Sequence, residues 1–208
     1  MKQIIKIIDN LKSSEIRDIV DSRIKEFENL GEKGSNELFK ELCFCFMTAN
    51  FSAHRGIEIQ NAIQDGFLTF SEKKLAKRLA ELGHRFPNAR ASYVFGARSH
   101  KDNIKETLNK LENDLETREW IVKNIKGIGM KEASHFLRNI GYKNLAIIDF
   151  HIVDLLVKND LIEKPKTLTP KKYIEIENVL NEIAQKTNLS LGELDLYLWY
   201  EETGKILK

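Results

Sequence analysis

Helical patterning runs from one end of this sequence to the other, and no other feature constrains the fold as strongly. In the segment Ser71–Gly83, leucines recur at helical spacing between a capping serine and a stop glycine, which is typical of an amphipathic helix. Thr169-Pro170 and Ser190–Glu193 also indicate helix starts, the second with the spacing of a capping box. Alternating β-branched runs joined by Asn-Gly or Asp-Gly turns are missing. The sequence therefore predicts an all-α fold.

The chain contains 208 residues, 42% of them hydrophobic, which suffices for one compact domain or two small ones. No apolar run approaches the roughly 18 to 20 residues that cross a bilayer. The N-terminus lacks the pattern of a secretory signal, so we expect an intracellular protein without membrane contact. Cys43 and Cys45 are too few to hold an iron–sulfur cluster or a zinc finger, and we interpret them as reduced core residues.

Charge is distributed unevenly, although the formal net charge is only +2. Residues 71–101 carry eight Lys or Arg against two Glu, and residues 121–143 carry five against one. The intervening segment 102–120 is acidic. The pattern indicates two basic surfaces that could neutralise phosphates. The alternative is two ordinary solvated helix faces.

The segment Ile125–Ala133 joins two helix-compatible stretches through a Gly-Ile-Gly turn. Glycines permit positive φ, which we expect at Gly129, and they allow close approach of the backbone to a ligand. We expect Ile128 to anchor the turn in the core, while exposed amides of the second helix suit a phosphate oxygen. This is the logic of a helix-hairpin-helix element that grips a DNA backbone, with Lys126, Gly127 and Gly129 as contacts. The alternative is an ordinary helix connection punctuated by glycine.

Lys131 and Asp149 are the candidate reactive residues. Lys131 falls in the first turn of the second hairpin helix, where the macrodipole disfavours an ammonium ion, and a partly neutral lysine can form a Schiff base. Asp149 follows the apolar run Ala146–Ile148 and is placed to cap the next helix. The alternatives are a solvated surface lysine and a plain cap. His135 and His151 are neither paired nor spaced as metal ligands, so we predict no metal site and assign them structural or backbone-contact roles.

A Gly-hydrophobic-Gly-x-Lys hairpin followed about twenty residues later by hydrophobic-Asp-x-His resembles the helix-hairpin-helix DNA glycosylase superfamily. Within it, the chain is similar to the compact 8-oxoguanine DNA glycosylase/lyase found mainly in archaea and some bacteria. The similar segments are ELCFCFMTANFSA, DGFLTF, LGHRF, NIKGIGMKEASHFLRNIGYKNLAIIDFHI, PKTL and LSLGELDLYLWYEETGKILK. They extend from about residue 41 to the last residue, and the four-cysteine cluster and N-terminal β-rich region of other branches are missing.

This resemblance implies a two-lobed helical bundle with the active-site cleft between the lobes. Residues 1–208 would form a single helix-hairpin-helix glycosylase unit. One lobe would be a central helical barrel of residues 35–145, which includes the hairpin at 115–141. The other lobe would combine the terminal helices of residues 1–34 and 146–208.

The resemblance also implies base-excision repair chemistry. Lys131 would attack the sugar C1′ and release 8-oxoguanine, and the resulting Schiff base would nick the strand by β-elimination. Asp149 would promote deprotonation of the lysine and stabilise the oxocarbenium-like sugar. The residues leave two alternatives open: a non-catalytic helix-hairpin-helix module that binds DNA, and a glycosylase of the same superfamily for another damaged base.

By the same resemblance, five further residues contact the substrate. Phe86 and Trp199 would stack on the expelled base, and Lys208 would contribute to base recognition. Asn50 and Phe51 would occupy the space vacated in the duplex. For Trp199 the alternative is packing in the core, because leucines surround it on its helix.

The expected partner is double-stranded DNA that contains 8-oxoguanine, bound by a monomer in the cytoplasm of a prokaryote, where its function would associate it with the nucleoid. No redox cofactor or nucleotide is expected, because the sequence lacks a phosphate-binding GxxxxGK[ST] loop and a GxGxxG turn after a strand. The resemblance adds a monovalent cation held by carbonyls of the hairpin turn, residues 125–130.

Overall fold

Thirteen α-helices and one short 3₁₀ helix make up the fold, so the all-α prediction is confirmed. The computed structural model describes residues 1–208 and contains no β-strand. The helices are α1 (Lys2–Lys12), α2 (Ile16–Gly31), α3 (Ser35–Thr48), α4 (Ala53–Ile63), α5 (Gly66–Thr69), α6 (Glu72–Glu81), α7 (Pro87–Ala97), the 3₁₀ helix (Arg98–His100), α8 (Ile104–Leu108), α9 (Asp114–Asn124), α10 (Met130–Asn139), α11 (Phe150–Lys158), α12 (Pro170–Thr187) and α13 (Leu191–Thr203). None of them combines the length and the apolar character needed to cross a bilayer.

Helix boundaries follow the local signals in the sequence. The Ser71 side chain caps α6, and Gly83, with φ +76°, lies just beyond the end of that helix. Thr169 caps α12, and Ser190–Glu193 form the predicted capping box at the start of α13. These predictions are confirmed, because each cap depends only on residues within one helical turn.

Helix α3 lies in the centre of the larger of two main clusters of buried apolar residues. Nearly every side chain from Leu38 to Thr48 is buried, as expected for a helix that is apolar all round rather than along one stripe. Cys43 and Cys45 are free thiols with no exposed surface, so their interpretation as reduced core residues is confirmed. Burial raises the pKa of both thiols, which keeps them unreactive.

Buried apolar residues form two main clusters. The larger contains 26 residues within Leu38–Leu145, and the other contains 16 residues drawn from α1 and from Ala146–Leu198. A third cluster of 5 residues joins α2 to α13. On this basis we propose the two lobes as residues 35–145 and residues 1–34 plus 146–208, with the boundary in the irregular segment between α10 and α11.

Candidate active site

The hairpin of α9 and α10 places its turn at the surface and its central isoleucine in the core. Ile128 is 5% exposed and anchors the turn as predicted. Gly127 has φ +92°, and a Cβ there would lie 2.6 Å from the Tyr93 ring, so glycine is required on two counts. The positive φ predicted for Gly129 is wrong. Gly129 has φ −99° and ψ −175°, because it is the N-cap of α10 and an N-cap adopts extended backbone.

The N-terminus of α10 is open. Gly129 has no side chain to cap the helix, and the amides of Gly129–Glu132 donate no hydrogen bond within the protein. Lys126 and Gly127 are exposed next to these amides. Free amides at the positive end of a helix dipole form an anion site that suits a phosphate oxygen.

Lys131 is the second residue of α10 and lines a cavity of about 960 Å³. Its side chain is 23% exposed, and the closest carboxylate oxygen, from Glu132, lies 3.8 Å from Nζ. That distance is too long for a hydrogen bond. The amine is therefore not tied to a protein acceptor and is available to a molecule in the cavity.

Asp149 caps α11 and lines the same cavity. Its Oδ1 accepts a hydrogen bond from the Ile152 amide at 3.0 Å, so the predicted cap is confirmed. Oδ2 accepts no hydrogen bond from the protein. The cap therefore fixes the orientation of the carboxylate and leaves one oxygen for a ligand.

This cavity collects most of the predicted site, from both proposed lobes. The predicted residues that line it are Lys131, Asp149, Trp199, Lys208, Asn50 and Phe51. The predicted backbone contacts Lys126, Gly127 and Gly129 lie outside it, on the exposed turn of the hairpin. The structure thus separates a surface element suited to phosphates from an interior suited to one nucleotide.

Phe86 is the predicted base-contact residue that the structure does not bring into the cavity. It is the N-cap residue of α7, and its amide donates a hydrogen bond to Nδ1 of the buried His84 at 3.0 Å. The guanidinium groups of Arg85 and Arg90 lie 5.0 and 5.8 Å from the centre of its ring. These contacts hold the ring beside the cavity, and its stacking on an expelled base stays a prediction.

Trp199 faces the cavity and belongs to none of the three buried clusters, which argues against the core-packing alternative. The His151 ring meets it edge-on, with centroids 5.3 Å apart. The centroid of the Phe150 ring lies 3.9 Å from that of the His151 ring, and Phe150 is 68% exposed. We call Phe150, His151 and Trp199 the aromatic wall. Sequence reasoning missed Phe150, although an aromatic residue directly after a cap lies on the exposed first turn of a helix.

Lys208 is fixed inside the cavity although it is the last residue. Its Nζ forms an ion pair with Glu41 at 2.8 Å and donates a hydrogen bond to Gln60 at 2.5 Å. The ammonium group also lies 4.4 Å from the centre of the Phe44 ring. Glu41 is buried in α3, so this contact ties the chain terminus to the core of the larger lobe.

Sequence reasoning missed a buried ion pair at the cavity, Arg138 with Asp195. The Arg138 guanidinium donates to the Asp195 carboxylate and also to Oδ1 of Asn139 at 2.9 Å. Burial raises the pKa of Asp195 to about 6, the Arg138 charge opposes that shift, and the Asp149 charge adds to it. In the sequence Asp195 looks like a surface acid of its helix, and its flanking leucines are the only signal of burial.

His135 also lines the cavity and is 6% exposed. Its Nδ1 is buried without a hydrogen-bond partner. Burial lowers the pKa of His135 well below its usual value, and the charges of Arg138 and Lys131 lower it further. The ring is therefore neutral near pH 7, so one of its nitrogens is a donor and the other an acceptor. The structural role assigned from the sequence did not include a place on the cavity wall.

Comparison with known proteins places this arrangement in one family. Residues 20–189 match the family model described as 8-oxoguanine DNA glycosylase, Ogg-HhH. The chain is 55% identical to the 8-oxoguanine DNA glycosylase/AP lyase of Methanocaldococcus jannaschii, over 99% of each chain. It is 52% identical to the protein of the same name from Korarchaeum cryptofilum, over 95% of this chain and 94% of that protein.

Solved structures agree. The crystal structure of the Methanocaldococcus jannaschii 8-oxoguanine glycosylase/lyase in complex with 15mer DNA containing 8-oxoguanine matches with a TM-score of 0.97 at 54% identity, covering 99% of this chain and 100% of that chain. The 8-oxoguanine DNA glycosylase of Thermotoga maritima matches with a TM-score of 0.93 at 40% identity, covering 100% and 99%. The fold is thus that of a helix-hairpin-helix DNA glycosylase. The chain belongs to the 8-oxoguanine DNA glycosylase family.

Proposed function

We propose that this protein is a bifunctional DNA repair enzyme, which excises 8-oxoguanine from double-stranded DNA and then nicks the strand as an AP lyase. The observation that carries this function is the pairing of Lys131 and Asp149 on one cavity, next to a hairpin with an open helix N-terminus. A module that only binds DNA needs the hairpin but has no use for an amine and a carboxylate in a nucleotide-sized cavity. We therefore favour the enzyme over the binding module.

The damaged nucleotide has to leave the base stack before the sugar can be attacked. A cavity of about 960 Å³ is large enough for one extruded nucleotide. The aromatic wall offers stacking surface, which is worth about 1 to 3 kcal/mol per base. Trp199 and Lys208 are our candidates for contact with the expelled base, and Phe86 remains a candidate only if binding of DNA moves its ring.

Lys131 supplies the nucleophile. Its unprotonated amine donates an electron pair to the sugar C1′, the N-glycosidic bond breaks, and the base leaves with the electrons of that bond and gains a proton. The sugar ring then opens to a protonated Schiff base between Nζ and C1′. Loss of a C2′ proton expels the 3′ phosphate by β-elimination, and water releases the amine from the remaining imine.

Asp149 acts on the charge that develops during this reaction. Positive charge accumulates on the sugar as the glycosidic bond breaks, and a carboxylate already oriented by its cap stabilises that charge without reorganising. The same carboxylate favours transfer of a proton away from the lysine.

The hairpin and the loop after α3 complete the contacts with DNA. We propose that Lys126, Gly127 and Gly129 bind the phosphate backbone, using the free amides of α10. Asn50 and Phe51 follow α3 at the cavity, with φ +55° at Asn50 and the Phe51 ring 4.5 Å from the ring of His84. Their place in the turn after α3 and on the cavity lining supports their proposed role as the wedge that fills the vacated space in the duplex.

The turn also supports a proposed monovalent cation. The carbonyls of Lys126, Gly127 and Ile128 accept no backbone hydrogen bond, and carbonyl oxygens suit hard cations. Exchange of potassium for lithium at constant ionic strength should weaken duplex binding, whereas equal affinity in the two salts would contradict the cation.

The excision chemistry itself calls for no cofactor. Because the substrate is chromosomal DNA, we propose that the enzyme works at the nucleoid in the prokaryotic cytoplasm.

Borohydride trapping on an 8-oxoguanine duplex tests substrate, nucleophile and intermediate together. We expect the wild-type protein to form a covalent adduct and to nick the strand, and Lys131→Gln to do neither while still binding the duplex. Lys123→Gln is the matched control, because Lys123 is an exposed lysine of the same hairpin and lies outside the cavity. A wild-type adduct with duplexes carrying other damaged bases, but not 8-oxoguanine, would favour a different substrate. Binding without any adduct would favour the non-catalytic module.

A further inference from the structure

The segment that carries Asp149 is irregular and nonetheless buried. Residues 145–149 form no helix or strand, yet Leu145–Ile148 have almost no exposed surface. Backbone amides and carbonyls buried outside regular structure need other partners, because an unpaired buried group is costly. We call residues 145–149 the connector, since they lie between α10 and α11 and end at Asp149, the cap of α11.

Two side chains of α12 supply these partners. The Tyr173 hydroxyl donates a hydrogen bond to the Ala146 carbonyl at 2.7 Å and accepts one from the Ile148 amide at 3.2 Å. Oε1 of Glu177 accepts a hydrogen bond from the Ala146 amide at 2.8 Å. Tyr173 and Glu177 lie one turn apart on the same helix, so a single helix face holds three backbone groups within the four residues that end at Asp149.

The same face is bound to the hairpin. Arg118 of α9 donates to both carboxylate oxygens of Glu177, at 2.6 and 2.8 Å, and to the Ser134 hydroxyl at 3.3 Å. Ser134 lies one turn after Lys131 on α10. Arg118 and Tyr173 are each 2% exposed and Glu177 is 6% exposed, so water does not loosen this network.

We propose that Tyr173 and the Arg118–Glu177 pair are positioning residues that set the location of the Asp149 carboxylate relative to the Lys131 amine. This inference rests on the proposed function, because it assigns the network to the reaction of that site. None of the three side chains lines the cavity, so they act through the connector and not on the substrate.

The chemistry of the network favours positioning over simple stabilisation. A buried ion pair is often no more stabilising than apolar side chains of similar volume, but it is directional. Burial also raises the pKa of the Tyr173 hydroxyl, which keeps it protonated and able to donate to the Ala146 carbonyl at any pH where the enzyme works. The two bonds of one hydroxyl therefore fix both the distance and the direction of the connector backbone.

Tyr173→Phe removes the hydroxyl and keeps the ring in the core. We expect its single-turnover rate of 8-oxoguanine excision, measured at saturating enzyme, to fall tenfold or more, while its affinity for the same duplex stays within about threefold of wild type. Tyr197→Phe is the matched control, because Tyr197 is equally buried as a residue, its hydroxyl forms no hydrogen bond within the protein, and it does not line the cavity. That control should retain the wild-type rate.

Arg118→Met is the second variant, since it breaks the link between α12 and the hairpin without touching the connector. We expect it to lose rate in the same direction and again with unchanged affinity. Thermal unfolding of each variant is measured beside the kinetics, and rates are taken at least 20 °C below the unfolding midpoint.

An unchanged rate in folded Tyr173→Phe would overturn the positioning role. So would a loss of affinity equal to the loss of rate, which would indicate a general structural defect. A wild-type protein that does not excise 8-oxoguanine would instead contradict the proposed function, and the wild-type arm distinguishes that failure from the others.

Discussion

Two helix N-termini are found at this site, and they are built in opposite ways. The N-cap of α10 is Gly129, which has no side chain, and the first amides of the helix donate no hydrogen bond within the protein. The N-cap of α11 is Asp149, whose carboxylate accepts a hydrogen bond from the Ile152 amide. One terminus is left open for an anion from outside, and the other is closed by an anion of the protein.

The difference shows how a helix dipole can serve two purposes in one site. At α10 the unpaired amides are suited to a phosphate, which has to arrive with the DNA. At α11 the Asp149 carboxylate is itself the cap, so it is oriented before any ligand arrives, as the proposed stabilisation of a cationic sugar requires. A change of the cap of α10 should therefore alter DNA binding, and a change of the cap of α11 should alter catalysis.

Asp149→Asn should have the largest effect among the variants of these two termini. Asn keeps a capping oxygen, so the free energy of unfolding should fall by only about 0.5 to 1 kcal/mol. Loss of the fixed charge should lower the excision rate by roughly two orders of magnitude or more, the scale of removing one electrostatic group. Single-turnover kinetics with thermal unfolding check this. Ser71→Ala, which removes a cap far from the site, should lose similar stability and keep full activity. Equal excision rates in Asp149→Asn and wild type would reduce Asp149 to a cap.

Trp199→Ala leaves both termini intact and tests the cavity between them. Removal of a stacking surface worth about 1 to 3 kcal/mol should reduce discrimination between 8-oxoguanine and guanine duplexes by roughly tenfold, with little change in non-specific affinity. Titration of both duplexes at one fixed salt concentration measures this. If both affinities dropped by the same factor, or if the variant unfolded, the core-packing interpretation of Trp199 would be preferred.

Gly129→Asp converts the open terminus into a capped one. The backbone tolerates it, because φ is negative and the nearest atom to an added Cβ lies 3.5 Å away. Stability should change little, while affinity for damaged and undamaged duplexes should weaken alike, by roughly fivefold, since the new carboxylate repels the phosphate. Gly129→Ser, with a neutral cap, should weaken binding less. A loss confined to the damaged duplex would show that the hairpin reads the lesion rather than the backbone.

The smallest predicted effect concerns pH. The pKa of Asp195 is raised to about 6 in the folded protein, so the folded state holds this proton more tightly than the unfolded state. Its contribution to stability is therefore present at low pH and is lost as pH rises through about 6, which amounts to roughly 1 kcal/mol between pH 5.5 and 7. His84 and His135, whose pKa values are lowered, act in the opposite direction. The measurement is the difference in unfolding free energy between wild type and Asp195→Asn at the two pH values, and a difference independent of pH would contradict the shift.

Local features of the fold and of the site could be predicted well from the sequence. The caps at Ser71 and Asp149, the hairpin around Ile128 and the place of Lys131 in the first turn of α10 all follow from residues within a few positions of each other. The positive φ expected at Gly129 is wrong although it concerns only neighbouring residues. Glycine permits several backbone conformations, and the N-cap position of Gly129 selects the extended one. Asp149 is confirmed as a cap, and its role as a reactive group stays a prediction, since one carboxylate can do both.

The partners of buried polar groups could not be predicted. Arg118 and Glu177 are 59 residues apart, and Arg138 and Asp195 are 57 apart, so no helical spacing connects them. Phe86 was expected on the expelled base, but the structure ties it to His84 and two arginines beside the cavity. Nothing in the sequence around Lys208 predicts that its side chain has a fixed position. That position is explained by the contacts of Lys208 with Glu41 and Gln60, which are far away in the chain.

By itself the sequence determined the all-helical character, the hairpin and the two residue types that the proposed chemistry needs, together with the caps at Ser71, Asp149, Thr169 and Ser190. These depend on short-range hydrogen bonding and on the period of the helix. The tertiary structure alone decided which helix ends meet at the cavity, which charges are buried, and how the connector holds Asp149 relative to Lys131. Those outcomes depend on packing between segments far apart in the chain. The period of apolar residues predicts which face of a helix is buried, but it does not predict which other helix packs against that face.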